Sequence, residues 1–394
     1  MPPTTSADTE ILLDRLCERI NQCADRDRLA LARRRHEAVM AGRPTDSLPL
    51  AFGDGRALGG EDWPAFDWAE QFHDPAKSLY MQLKGALSEA ASTGDTAPSV
   101  RADTGVINCM TVFGAGYTVP QHTKPIVNEY VPKEALREFE VPADVSRCGV
   151  IPRMVEHMEH HVAALRRRGV DDVVCVRHCD QQGPFDIAAQ TRGHEIFVDL
   201  YEDAEFVHEL MGKCVDVYVA VSKLCKGITG EPLDGGNVYG VWMTNGGVRM
   251  CGDSDILVSV GQYDEFIAPY QQQAFAPFGG GWLHYCGGWA GTGRSEGIHL
   301  HEGYARVRGL RGLNWTTGRD WVGQMRKLRE LGVVHIGGLR RNDGEPLDAY
   351  FRRALSAYED RRGLIFKGPA IGADERDAAV DAWQRAQDER FGPA

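Results

Sequence analysis

From about residue 100 onward, with one earlier run at 48–52, short apolar runs rich in β-branched residues alternate with stretches of helical spacing, and this rhythm limits the fold more than any other feature of the chain. The runs fall at 48–52 (LPLAF), 104–113 (TGVINCMTVF), 173–179 (VVCVRHC), 248–252 (VRMCG), 281–286 (GWLHYC), 309–315 (GLRGLNW), 333–337 (VVHIG) and 363–367 (GLIFK). Helical segments at 151–168, 200–226, 263–276, 297–307, 318–331 and 346–361 separate most of them. Consecutive strand–helix units of this kind predict an α/β fold, and their number predicts a (β/α)8 TIM barrel. An open dinucleotide-binding sheet is disfavoured, because no GxGxxG follows the first run.

Residues 9–41 place Ile11, Leu12, Leu16, Ile20, Leu29, Leu31 and Val39 at helical spacing among charges, which predicts an N-terminal helical extension over 1–45. The barrel is then expected over 46–372, with a C-terminal helix over 373–394 packed on it. NVYGVWMTNGGVRMCGD carries a hairpin signal, with Asn245-Gly246 suited to the turn. The stretch 110–132 after the second strand reads either as a lid over the mouth or as a plain connection.

The net charge of −12 repels nucleic acid and acidic membranes, and the runs Arg33–Arg35 and Arg166–Arg168 read as solvated helix faces. The first residues have no apolar core behind a basic region, and no apolar stretch nears the roughly 18 residues of a membrane span. The reading is therefore a cytoplasmic enzyme of small molecules, with no nucleic-acid or membrane partner and its oligomeric state open. Its 10 cysteines are scattered without a CxxC and read as reduced thiols, mostly buried.

Barrel enzymes keep their reactive groups at the C-terminal ends of strands. That rule nominates His178, Asp180, Gln181 and Gln182 after the third strand, and Asp253 and Asp255 after the fourth. It adds His284 and Cys286 on the fifth, Asn314 and Trp315 on the sixth, and Lys367 on the eighth. In WLHYCGG, His284 and Cys286 project from the same side of a strand, about 7 Å apart at roughly 3.4 Å per residue. An imidazole nitrogen and a thiolate can then meet on one ion, a donor pair that suits zinc. Asp180 reads as a general base or a ligand, or as a helix cap; Asp253 and Asp255 carry the same alternatives. His178, Gln182, Asn314, Trp315 and Lys367 are candidates for gripping a substrate. His157 and His160 read as a surface face of the helix before the third strand, whereas His299, His301 and Glu302 are spare candidates for a third ligand.

Taken together, RRHEAVMAGRPTDSLPL, HCDQQGPFDIAAQTRG, DLYEDAEFVHELMGK, GDSDILVSVGQYDEFIAPYQQ, HYCGG and VRGLRGLNW resemble the uroporphyrinogen decarboxylase-like superfamily. That superfamily also holds zinc methyltransferases of corrinoid and coenzyme M systems. The resemblance covers most of the chain from about residue 33 and implies the same barrel. It departs from true uroporphyrinogen decarboxylases at GDGRALGG, where Arg56 is the only cation in place of an arginine-rich motif for a polycarboxylate. It departs from the methyltransferases at GLIFKGPAIG, which lacks their further cysteine; none follows Cys286.

The resemblance implies a methyl- or alkyltransferase in which zinc, held by His284, Cys286 and a third group, activates an acceptor thiol. Glu302, His299 or Asp253 would supply that third ligand, and a corrinoid on a partner protein is one methyl donor. The alternative is a metal-free decarboxylase or lyase. There His284, Asp180 and Asp253 would move protons, and Lys367, Arg56 or Gln182 would hold a carboxylate. A third reading is a barrel that has lost its site and only docks a partner.

Overall fold

The computed structural model describes residues 6–52, 63–287, 296–315, 321–369, 371–372 and 375–393. Arg56 lies outside them. The strands in chain order are β1 (Leu50–Ala51), β2 (Ser99–Arg101), β3 (Gly116–Thr118), β4 (Ile126–Glu129), β5 (Cys175–Arg177) and β6 (Gly236–Val238). They continue with β7 (Val241–Met243), β8 (Val248–Cys251), β9 (Gly281–Tyr285), β10 (Leu310–Trp315), β11 (Val334–Gly337) and β12 (Leu364–Lys367).

Six of them form one parallel sheet in the order β1-β12-β11-β10-β9-β8, and β2 and β5 form a separate parallel pair. A single bridge between Gln182 and Cys251 links the segment after β5 to β8, and the Gly183 N–H donates to the Cys251 carbonyl at 2.7 Å. At the other edge, Leu50 exchanges bonds with Asp95, its N–H donating to the carboxylate at 3.0 Å. The Phe52 N–H donates to Thr96 Oγ1 at 2.9 Å. The result is a mixed α/β fold on parallel strands, whose sheet and pair are held edge to edge by these bonds rather than by one continuous ladder.

Two expectations of local structure are corrected. The second strand is Ser99–Arg101, and the apolar run 104–113 instead contains the helical turn Asn108–Val112, every residue of which is buried. A short apolar run surrounded by core carries no periodicity that separates strand from helix. Gly105, at φ +75° with the Pro125 carbonyl 2.6 Å from where a Cβ would sit, turns the chain out of extended geometry. The hairpin is β6–β7, and it turns at Tyr239-Gly240 rather than Asn245-Gly246. Both turn residues have positive φ, +56° and +79°, as a tight primed turn requires. Tyr239 is the only non-glycine with positive φ among the described residues. The segment 110–132 includes a second hairpin, β3–β4.

Helices pack against both the sheet and the β2–β5 pair. Ser6–Cys23 buries Leu13, Leu16, Cys17 and Ile20 in one cluster with Leu79, Tyr80, Leu83 and Leu87 of Pro75–Ala90. Asp74 caps the latter helix by accepting from the Ala76 and Lys77 N–H groups, with Pro75 at its first position. Ala204–Thr229 runs through the main core. The C-terminal helix Arg376–Phe391 stacks Trp383 on Phe366 of β12 at 4.9 Å, and its indole N–H donates to the Leu48 carbonyl at 2.7 Å. His157 and His161 are fully buried in Ile151–Arg167, which corrects the reading of His157 as part of a surface face. No helix among the described residues is long and apolar enough to cross a membrane.

Candidate functional site

Register sets the site. Cys251 on β8 pairs with His284 on β9, which pairs with Asn314 on β10, so three polar side chains form one row across adjacent strands at their C-terminal ends. Asp253 follows two residues after Cys251, and Cys286 two after His284. Donor atoms of Cys251, Asp253 and His284 all lie within 4.8 Å of one another. His284 Nε2 is 3.2 Å from Cys286 Sγ, and Asp253 Oδ1 accepts the Cys286 N–H at 2.6 Å.

Hydrogen bonds fix the imidazole. Asn314 Nδ2 donates to the Ile336 carbonyl, which orients the amide and leaves Oδ1 as acceptor. That oxygen is 2.5 Å from His284 Nδ1, so the Nδ1–H donates and the Nε2 lone pair faces Cys286. Burial, and then the Arg249 charge, push the His284 pKa down to about 4, so the ring is neutral at pH 7. Burial, and then the Asp253 charge, push the Cys286 thiol up to about 11. Behind them, buried Asp186 accepts from the Asp253 and Ser254 N–H groups at 2.9 and 2.6 Å and braces the loop after β8. Burial, and then Asp253, raise the Asp186 pKa to about 7.

A second polar cluster adjoins the first at Arg249, two residues before Cys251 on β8. Arg101 of β2, Arg177 of β5 and Arg249 of β8 surround the Tyr239 ring, their guanidinium carbons 5.5, 4.2 and 4.6 Å from its centroid. Asp180 bridges Arg101 at 2.9 Å and Arg249 at 2.6 Å. Burial opposes its ionisation, but Arg101 and then Arg249 hold its carboxyl well below the usual range. Asp180 is therefore an ionised bridge between two guanidinium groups, not an available base.

The other sequence candidates separate. His178 is buried, with Nδ1 3.0 Å from the Cys179 carbonyl and its ring 5.4 Å from Tyr239. Gln182 is buried beside Cys251, and Gln181 accepts from Ser222 at 2.6 Å. Asp255 is buried, held by Gln271 at 2.6 Å. Lys367 ends β12 exposed, and its charge reaches His284. Trp315 lies on the opposite face from Asn314, packed at 4.9 Å against His301 and 4.4 Å against His335, and so does not join the row. Glu302 is on the surface, 61% exposed and paired with Lys327, and His299 Nε2 is 3.0 Å from the Val258 carbonyl. Neither is brought to His284; Asp253 is. Cys251 is not among the residues nominated from the sequence, although its place at the end of the fourth apolar run is a signal that could nominate it. Arg101, Arg177, Arg249 and Tyr239 were also missed, being scattered in sequence and united only by register and the hairpin tip.

No family model and no curated protein matches the chain by sequence. In structure it is similar to a methyltransferase from Methanosarcina mazei, with a TM-score of 0.63 over 90% of this chain and 98% of that one, at 15% identity. At that identity the likeness bears on the fold.

Proposed function

We propose that the eight parallel strands close into a (β/α)8 barrel of the uroporphyrinogen decarboxylase-like superfamily, and that the chain is a zinc-dependent methyl- or alkyltransferase. The observation that carries this is the convergence of Cys251, Asp253 and His284 at the ends of β8 and β9, with the Cys286 thiol 3.2 Å from the His284 imidazole. Two thiols, one neutral imidazole and one carboxylate are a donor set suited to zinc. Cys251 supplies from the neighbouring strand the second sulfur that the sequence after Cys286 lacks. Asn314 holds the imidazole in the ligating tautomer, and Asp186 holds the loop that presents Asp253. Zinc in this site would stabilise an acceptor thiol as thiolate at neutral pH, ready for alkylation. The methyl donor is proposed to be a corrinoid on a partner protein, and the compartment the cytoplasm. The similarity to a methyltransferase supports the reading at the level of fold.

Elemental analysis of protein purified without chelator tests it. About one zinc per chain is expected in the wild type and much less in Cys251→Ser and Cys286→Ser, with Glu302→Gln unchanged. Zinc-free wild type that cannot be loaded would remove the proposal. The runner-up, a metal-free lyase, draws on the Asp186 carboxyl, which burial and then Asp253 raise to about 7, and requires activity that survives chelation.

A further inference from the structure

Arg177 stands apart from its two neighbours in the interior cluster. Arg101 donates to Asp180 and Asp103, and Arg249 donates to Asp180. Among the described residues, Arg177 has neither a hydrogen-bond nor an ion-pair partner, and its contact is the Tyr239 ring face at 4.2 Å. Its Nε and that of Arg249 are buried without an acceptor. Glu89 and Asp180 act on it only through space. Burial, and then the Arg101 charge, press the Arg177 pKa down, but a guanidinium does not give up its proton in a protein. A charge in such a place is ordinarily paired, because an unpaired one is costly to desolvate.

The local balance leaves no internal solution. Arg101, Arg177, Arg249 and Lys124 face Asp103 and Asp180, each already shared between two cations, and Glu89 reaches Arg177 only through space. Arg177 is buried at its Nε and only partly exposed as a whole. Arg249 and Cys251 are two residues apart on β8, about 7 Å at roughly 3.4 Å per residue, and the Arg249 charge is felt by both His284 and Cys286.

We infer that Arg177, flanked by Arg249, seats an oxyanion carried by an organic substrate whose reacting end lies at the Cys251–Asp253–His284 cluster. Tyr239 forms the floor of this seat, its ring held among the three guanidinium groups by the positive-φ turn of the β6–β7 hairpin. Asp180 keeps Arg101 and Arg249 in place and leaves Arg177 for the ligand, which a planar fork holds through two parallel N–H donors. The inference shares its site with the proposed function but requires neither zinc nor methyl transfer.

Its test is therefore binding alone, on metal-free protein. Melting temperature is followed against propionate, methylphosphonate and sulfate at constant ionic strength set with chloride, for wild type, Arg177→Gln and the surface control Arg385→Gln. The expected result is a saturable rise with propionate or methylphosphonate in wild type and Arg385→Gln, absent in Arg177→Gln. Ligand-free Arg177→Gln is expected to melt no lower than wild type, since it sheds an unneutralised charge, whereas loss of a purely structural arginine would lower the melting point. If Arg177→Gln does not fold, Arg177→Lys takes its place and should bind at least tenfold more weakly. No response in wild type, a response to sulfate alone, or equal responses in wild type and the Arg177 variants would overturn the inference. None of these outcomes alters the zinc measurement.

Discussion

Asn314 Oδ1 accepts from His284 Nδ1 at 2.5 Å across neighbouring strands, and this one bond leaves Nε2 to face the Cys286 thiol. Replacing Asn314 by leucine, close in shape but without the acceptor, frees the ring to turn and to change tautomer. Zinc affinity is expected to fall by about 10–100-fold, the usual cost of losing a partner behind a ligating histidine. Competition against a chromophoric chelator measures it. Unchanged affinity would mean that the amide does not position the ligand.

Asp180 gives a second expectation. If it bridges Arg101 and Arg249 instead of moving protons, Asp180→Asn leaves Arg249 uncompensated and Arg101 with Asp103 alone. The loss of stability should be about 3–5 kcal/mol, the range for breaking a buried ion pair from one side. Urea unfolding reads this directly. A variant of wild-type stability that has lost only turnover would restore the general-base role.

The join between β5 and β8 is tested at Gly183. Its φ of −67° suits any residue, but a Cβ there would stand 2.6 Å from the Cys251 carbonyl. Gly183→Ala should therefore cost about 1–3 kcal/mol by forcing the two strands apart. Because Cys251 is displaced by the same movement, metal affinity should fall with the melting temperature. A fall in melting temperature with full metal affinity would show that Cys251 does not depend on this join.

Acid sensitivity has a separate source. Burial, and then Arg153, lower the His157 pKa to about 4; burial, and then His157, lower that of His161 to about 3. Both lie below the unfolded value of about 6.5, so the stability they contribute is present above that pH. It is lost as pH falls from there through the folded values, because the unfolded chain binds the protons first. The melting temperature should drop between pH 7 and 4.5, and His161→Leu should flatten that drop. An equal slope in the variant would move the cause elsewhere.

Much of the fold was legible in the residues. Seven of the eight apolar runs overlap a parallel strand within a residue or two at each end, since β-branched runs closed by glycine or charge bear a strong local signature. The run at 104–113 was not, because burial on every side erases the periodicity that distinguishes strand from helix. In the site, His284, Cys286, Asp253 and Asn314 could be nominated from strand ends alone. Cys251 could have been nominated in the same way, but its meeting with them, and that of the three arginines with Tyr239, could not. Their meeting depends on which residue of one strand lies level with which residue of the next, and a single sequence does not state that register. The hairpin turn was misplaced for a related reason. Asn245-Gly246 has turn chemistry, yet Gly246 is needed where the Gly280 backbone passes 2.8 Å from a would-be Cβ, while tyrosine takes up the less favourable turn position.

An unsatisfied guanidinium in the interior also has a consequence for the lifetime of the molecule. Whatever neutralises Arg177 binds the native chain and not the unfolded one, and shifts the balance toward the native form by mass action. Starved of that compound, more copies open and are exposed to proteolysis; supplied with it, fewer do. Steady-state abundance would then follow metabolite supply without any transcriptional control, and resistance to a protease in fractionated extract becomes an assay for isolating the compound.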